Sequence, residues 1–141
     1  MDVNKNYSYL GGRNMERQKQ FRKRNAILSY LRATKEHPSA EMVLIGVKKD
    51  CPDLSLATVY RNLALFKEQG LVASLGTVKG IERFDGNITP HVHFICSECG
   101  KVMDLPEVET PAALCRAVEN GTGGQVEVCH LSFAGKCKDC I

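Results

Sequence analysis

Ser55-Leu56-Ala57-Thr58-Val59-Tyr60-Arg61-Asn62-Leu63-Ala64-Leu65-Phe66-Lys67-Glu68-Gln69-Gly70 decides how this chain of 141 residues folds. Ser55 has the short hydroxyl side chain that caps a helix N-terminus, and Val59, Leu63 and Phe66 fall at i, i+4 and i+7, on one stripe of a helix. Gly70 stands where a helix C-cap belongs. The spacing predicts a helix from Leu56 to Gln69. Directly after it, Leu71-Val72-Ala73-Ser74-Leu75 and Ile81-Glu82-Arg83-Phe84 are extended runs flanking Gly76-Thr77-Val78-Lys79-Gly80, the pattern of a β-hairpin.

Upstream, Phe21, Ile27, Leu28 and Leu31 recur at helical spacing between Gln18 and Ala33, with Arg22, Lys23 and Arg24 on the wet side. Residues 1 to about 17, with Gly11-Gly12, read as a flexible arm. Ser39 after Pro38 offers an N-cap for a second, short helix carrying Met42, Val43, Ile45 and Val47, which Cys51-Pro52 ends. Three helices followed by a hairpin is the winged-helix order, in which the third helix reads the major groove and the hairpin touches the backbone. On the outer face of that helix, Arg61 can donate to guanine edges and Asn62 can pair with adenine. Thr58 and Tyr60 offer methyl, ring and phosphate contacts. The same residues also suit an ordinary solvated helix surface.

Charge separates the halves. Through Phe84 there are 15 Lys and Arg against 8 Asp and Glu, a net of +7; from Asp85 onward there are 4 against 8. A basic front half is the footprint of a phosphate-backbone binder, although a merely solvated basic surface looks the same by charge alone. Gly86-Asn87-Ile88-Thr89-Pro90 reads as a hinge. The expected organisation is α+β: a winged-helix domain with its arm over 1–84, a hinge over 85–92 and a second domain over 93–141. In the second part, His91 to Leu105 reads as strand, knuckle, strand. Thr110-Pro111 starts a helix to about Asn120, Gly121-Thr122-Gly123-Gly124 stops it, and Val126 to Phe133 supplies a last strand.

Two C-x-x-C pairs, Cys96-Ser97-Glu98-Cys99 and Cys137-Lys138-Asp139-Cys140, supply four thiolates, enough to complete a tetrahedron around zinc. A redox dithiol instead expects a single C-x-x-C in a strand-to-helix setting. His91 and His93 lie two apart in an extended segment and so face the same side, half of a second metal site. Asp85, Asp104 and His37 are the candidates for its remaining ligands. Three nitrogens and two carboxylates suit Fe(II), Mn(II) or Zn(II). Cys51, Cys115 and Cys129 have no partner at ligand spacing and stay unassigned. Cys115 reads as helix core, and Cys129 beside His130 as a strand residue or a spare ligand. The N-terminus carries no export pattern and no apolar run reaches membrane length, so a reducing cytoplasm is expected, where seven cysteines serve as ligands or buried thiols.

Taken in order, Ser55 to Leu63, His91-x-His93-x-x-Cys96-x-x-Cys99-Gly100, Asp104 and Cys137-x-x-Cys140 resemble the ferric uptake regulator family over about residues 18 to 140. The resemblance implies a homodimeric, metal-dependent repressor of double-stranded operator DNA, with a winged-helix domain and a C-terminal α/β dimerisation domain. It also implies structural zinc on Cys96, Cys99, Cys137 and Cys140, and regulatory Fe(II) or Mn(II) on His37, Asp85, His91, His93 and Asp104. Both acidic ligand positions are Asp, which makes the resemblance strongest to the family's peroxide-sensing branch. That branch implies oxidation of His37 or His91 when hydrogen peroxide meets bound iron. The alternative is an iron- or zinc-responsive uptake regulator that reads metal occupancy alone. Pro90 and Val92 stand where many members have His and Asp, which argues against an additional C-terminal metal site. A hydrolase built on the histidines would need a general base at a spacing such as H-E-x-x-H, which the chain lacks, so no catalytic turnover is expected.

Overall fold

The computed structural model describes residues 7–110, 112–127 and 129–141. Three helices come first: α1 (Tyr7–Ala33), α2 (Ala40–Val47) and α3 (Leu56–Glu68). Ser39 and Ser55 cap α2 and α3, their hydroxyl oxygens accepting from the Met42 and Thr58 backbone N–H groups at 3.2 Å. Those donors have no partner within the first helical turn, which is why short polar side chains stand there. Val59, Leu63 and Phe66 of α3 close on Ile27 and Leu31 of α1 and on Val43 and Val47 of α2, with Cys51 and Phe84 filling the same core.

α1 departs from expectation at its start. It begins at Tyr7, so the segment from Tyr7 to Arg17, read as an arm, is helical; residues 1–6 lie outside the described residues. Gln20 donates to Glu16 one turn earlier at 3.0 Å, and elongating an existing helix costs far less than nucleating a new one. Phe21, expected in the buried stripe, is 67% exposed. From Gly12 to Arg22 every residue is exposed, and burial along α1 begins only at Lys23.

β1 (Ala73–Val78) and β2 (Ile81–Asp85) pair antiparallel, with a register slip between Ser74 and Thr77. They turn on Lys79-Gly80, at φ 51° and 80°. A two-residue turn with both φ values positive matches the twist of the flanking strands, so the strands run longer and the turn shorter than the expected loop over 76–80. β3 (Val92–Cys96) is the middle of a second sheet, with β4 (Val102–Leu105) antiparallel on one side and β5 (Leu131–Gly135) parallel on the other. A parallel neighbour requires a crossover, and α4 (Ala112–Thr122) lies in it. α4 ends inside the glycine run expected to stop it; Pro111, expected in its first turn, lies outside the described residues. β5 starts at Leu131 rather than Val126 because β3 sets it: Val92 to Cys96 pair with Leu131 to Gly135.

The tip of the first hairpin rests on the second sheet. Val78 is buried and Lys79 Nζ donates to the Glu98 carbonyl, with both side chains lying over Gly100. Among the described residues no helix is long and apolar enough to cross a membrane.

Directly after β2, Gly86 lies so close to α1 that a Cβ there would meet the Leu31 carbonyl oxygen at 2.3 Å. Backbone cannot swing aside as a side chain does. Gly86→Ala is therefore expected to destabilise the chain by about 2 to 3 kcal/mol, measured by denaturant unfolding with zinc present. A loss below about 0.5 kcal/mol, the range of an inconsequential surface change, would show that α1 yields instead.

Candidate metal centres

Strand register assembles the first centre. Cys96 ends β3 opposite Gly135, so the chain two residues on returns to it, and the Cys137 N–H donates to Cys96 Sγ at 3.3 Å. The sulfurs of Cys96, Cys99, Cys137 and Cys140 all lie within 4.8 Å of one another. Cys99 and Cys137 stand 3.8 Å apart, which is the edge of a tetrahedron with metal–sulfur bonds of about 2.3 Å and far longer than a disulfide of about 2.05 Å. Backbone N–H groups of Cys99 and Cys137 lower the Cys96 thiol to about 6, while its bond to Cys137, burial and the neighbouring thiols push Cys140 up to about 12. Four such groups resist ionising together unless a cation sits among them, and a divalent metal removes that obstacle.

The second centre draws on four parts of the chain. His37 comes from the loop between α1 and α2, Asp85 ends β2, His91 precedes β3, and His93 on β3 faces Asp104 on β4 in direct cross-strand register. Facing residues of an antiparallel pair share one side of the sheet, which is why a histidine and a carboxylate 11 positions apart meet. Asp104 Oδ1 lies 2.7 Å from His37 Nε2, 3.0 Å from His91 Nε2 and 3.2 Å from His93 Nε2. Asp85 Oδ2 lies 3.5, 3.0 and 3.0 Å from the same three atoms.

Hydrogen bonding accounts for this only if every Nε2–H is shared between two oxygens. Each imidazole Nε2 carries at most one hydrogen, yet each approaches two carboxylate oxygens. Donors about 2.1 Å from a common ion and at right angles to one another stand about 3.0 Å apart, the spacing found here. His91 is already set for the role: its Nδ1 donates to the Thr89 carbonyl at 2.6 Å, leaving the Nε2 lone pair to face the carboxylates. His37, at 3% exposure, has a buried Nδ1 with no partner among the described residues. The donor set fits a borderline or hard divalent ion and contains no thiolate. Asp104, with its side chain 29% exposed, is the open corner, and it faces a cleft of about 780 Å3 that Lys35, Thr89, His91 and Lys101 also line.

Charge is already poised. Burial works against His37 carrying a proton, but hydrogen bonds to Asp85 and Asp104 outweigh it and raise the pKa above 6.5. His91 is raised likewise, its burial outweighed by the Thr89 carbonyl and the two carboxylates. Asp85 is held well below the usual carboxylate range, burial being overcome by His37, the Asn87 N–H and His93.

All five expected ligands of this centre and all four cysteines of the other are thus brought together. Cys51 is core, while Cys115, Cys129 and His130 join neither group. On α3, Tyr60 and Arg61 are exposed, Tyr60 donating to Glu41 at 3.2 Å. Thr58, expected on the outer face, is instead 6% exposed, because its hydroxyl pairs with Ser55 and accepts from Arg61 at 3.0 Å. Asn62 is half-buried and donates to the Thr58 carbonyl at 2.9 Å. Two neighbours of the centre gave no signal in the sequence: the Thr89 carbonyl, which any residue type supplies, and Arg83, an ordinary strand residue whose guanidinium donates to the Glu36 and His37 carbonyls.

Known proteins resemble this chain in sequence and fold. The ferric uptake regulator family profile matches residues 16–131. The peroxide-responsive repressor PerR of Staphylococcus aureus is 36% identical over 122 residues, covering 83% of this chain and 78% of that protein. The crystal structure of the Campylobacter jejuni peroxide stress regulator superposes with a TM-score of 0.79 at 28% identity, covering 99% of this chain and 100% of that one. The ferric uptake regulator of Francisella tularensis, solved with iron, gives 0.67 at 25% identity over 83% of this chain and 89% of that one. The chain belongs to the ferric uptake regulator family.

Proposed function

We propose that this chain is a cytoplasmic repressor that holds operator DNA when metallated and releases it when hydrogen peroxide oxidises one of its own histidines. The observation that carries the reading is the convergence of His37, His91 and His93 on the carboxylates of Asp85 and Asp104 beside an open cleft. The kinship with peroxide-responsive repressors supports it further.

Residues 1–84 form the DNA-binding part, 85–92 the hinge and 93–141 the dimerisation part. Cys96, Cys99, Cys137 and Cys140 hold structural zinc, and His37, Asp85, His91, His93 and Asp104 hold Fe(II) or Mn(II). When bound, Fe(II) supplies the electrons that turn hydrogen peroxide into an oxidant, which Mn(II) in the same donors does not. Either His37 or His91 takes up the oxygen. They sit on different segments, so losing either donor loosens the tie between the winged helix and the second sheet. Arg61, Tyr60 and Asn62 meet the DNA, and Thr58 steadies Arg61. A second copy of the chain covers Leu114 and Val118 of α4 and Phe133 of β5, which are 43%, 47% and 50% exposed. The chain turns over no substrate.

With DNA fragments selected by the Mn(II)-loaded protein, hydrogen peroxide is expected to release the Fe(II)-loaded protein and leave the Mn(II)-loaded protein bound. Mass spectrometry should find added oxygen on the His37 or His91 peptide. Retention under both metals is the behaviour of an uptake regulator that reads occupancy alone, and release under both would equally sink the peroxide reading. Cys137→Ser is expected to lose one equivalent of zinc and lower the Tm, read by metal analysis and calorimetry; full zinc retention would remove Cys137 from the ligand set.

Protons and metal compete for His37 and His91. Their raised pKa values stabilise the metal-free protein fully below about pH 6.5, and that contribution fades as pH climbs through the folded values. Metal binding expels those protons and so tightens over the same range. The gap in Tm between Mn(II)-loaded and metal-free protein should widen from about pH 6 to about pH 8, by scanning fluorimetry. A constant gap would show that the imidazoles do not bind the metal.

A further inference from the structure

β2 ends in Asp85, but it also grips the loop that carries His37. Arg83, half-buried on this strand, donates through Nη2 to the Glu36 carbonyl at 2.9 Å and through Nε to the His37 carbonyl. The neighbouring Phe84 N–H donates to the Pro38 carbonyl at 3.0 Å. Residues 83 and 84 therefore take up three successive carbonyls of the α1–α2 loop. No carboxylate of the described residues pairs with Arg83, so its guanidinium is spent on this backbone. A planar fork with fixed donors reaches two carbonyls at once, which a lysine's single ammonium does not reproduce.

The grip falls on an unusual residue. His37 has φ 51°, and with Lys79 it makes the two non-glycine residues of positive φ among those described. Residues other than glycine are uncommon in that left-handed region, histidine, asparagine and aspartate being the more tolerant of it, and their surroundings help to hold them there. The His37 ring is anchored at one end only, since Nδ1 has no partner among the described residues and Nε2 alone meets Asp104 and Asp85. The other end is aimed by the backbone, which Arg83 holds at Glu36 and His37 and the Phe84 N–H holds at Pro38.

We propose that Arg83 is a positioning residue for the second metal centre, clamping His37 in its left-handed conformation and tying the wing strand to that histidine. The proposal rests on the reading of His37 as a ligand, and the test separates the two. Co(II) is titrated into zinc-loaded wild type, Arg83→Ala, Arg83→Lys, His37→Ala and the double variant. Arg83→Ala is expected to weaken Co(II) binding by about tenfold, as loss of an orienting partner does, with Arg83→Lys in between. In the His37→Ala background the same change should cost nothing further. A Co(II) affinity equal to wild type in Arg83→Ala, or an equal loss in both backgrounds, would overturn the clamp in favour of no role or a general structural one.

A second readout needs no metal at the second centre. In zinc-loaded protein without Co(II), the His37 backbone chemical shifts should leave the left-handed range in Arg83→Ala while those of Cys96 to Gly100 stay in place. Unmoved His37 shifts defeat the proposal. Should His37→Ala bind Co(II) like wild type, the ligand reading fails, and the shifts alone decide whether Arg83 holds the loop.

Discussion

Two carboxylates and three imidazoles gathered out of water cannot all be satisfied by one another, and most of this architecture follows from that. Asp85 and His93 are 6% and 7% exposed and His37 is 3% exposed, so solvent offers them little. Buried charge is tolerated only when paired. The apolar core encloses α1, α2 and α3 with Val72 and Phe84, and none of its buried residues comes from the second sheet. The winged helix and that sheet are thus joined by a polar cluster and a hairpin tip rather than by a shared oily interface. A joint of this kind depends on its counter-charge, and changing the charge changes the joint.

The two centres differ in the ways their chemistry requires. The cysteine tetrad joins the end of β3 to the segment after β5, its geometry fixed by the pairing of Cys96 with Gly135. Its donors are soft, and Cys96 and Cys137 are buried. The histidine and carboxylate cluster has hard and borderline donors and one exposed corner at Asp104. The first suits permanent retention; the second suits exchange and access.

Much of this was legible in the chain. Ser39 and Ser55 announce helix starts because a hydroxyl at that position satisfies a donor whatever the rest of the fold does. The cysteine pairs declare themselves because a chelate demands short fixed spacing. Less was legible where distant partners decide. β5 begins at Leu131 because β3 pairs there, and Phe21 stays wet within the exposed run of α1 from Gly12 to Arg22. His37 stands 67 positions from Asp104, a separation no spacing rule covers. Thr58 looked outward by periodicity, but the cap at Ser55 and the guanidinium of Arg61 claimed its hydroxyl. Arg83 works through backbone carbonyls, and those leave no trace in residue type.

The hairpin of β1 and β2 spans from one metal centre to the other. Its tip, at Lys79, is seated on the Glu98 carbonyl between Cys96 and Cys99, and its root, at Asp85, supplies a carboxylate to the histidine cluster. It is a lever resting on two supports. One residue inserted between Cys96 and Cys99 would move the first support by up to about 3.8 Å, the step between consecutive Cα atoms. That displacement would be delivered through a strand of five residues to the second centre. The length of the knuckle is consequently a dimension of the sensor as well as of the zinc chelate, and neither centre can be lengthened or shortened without re-levelling the other.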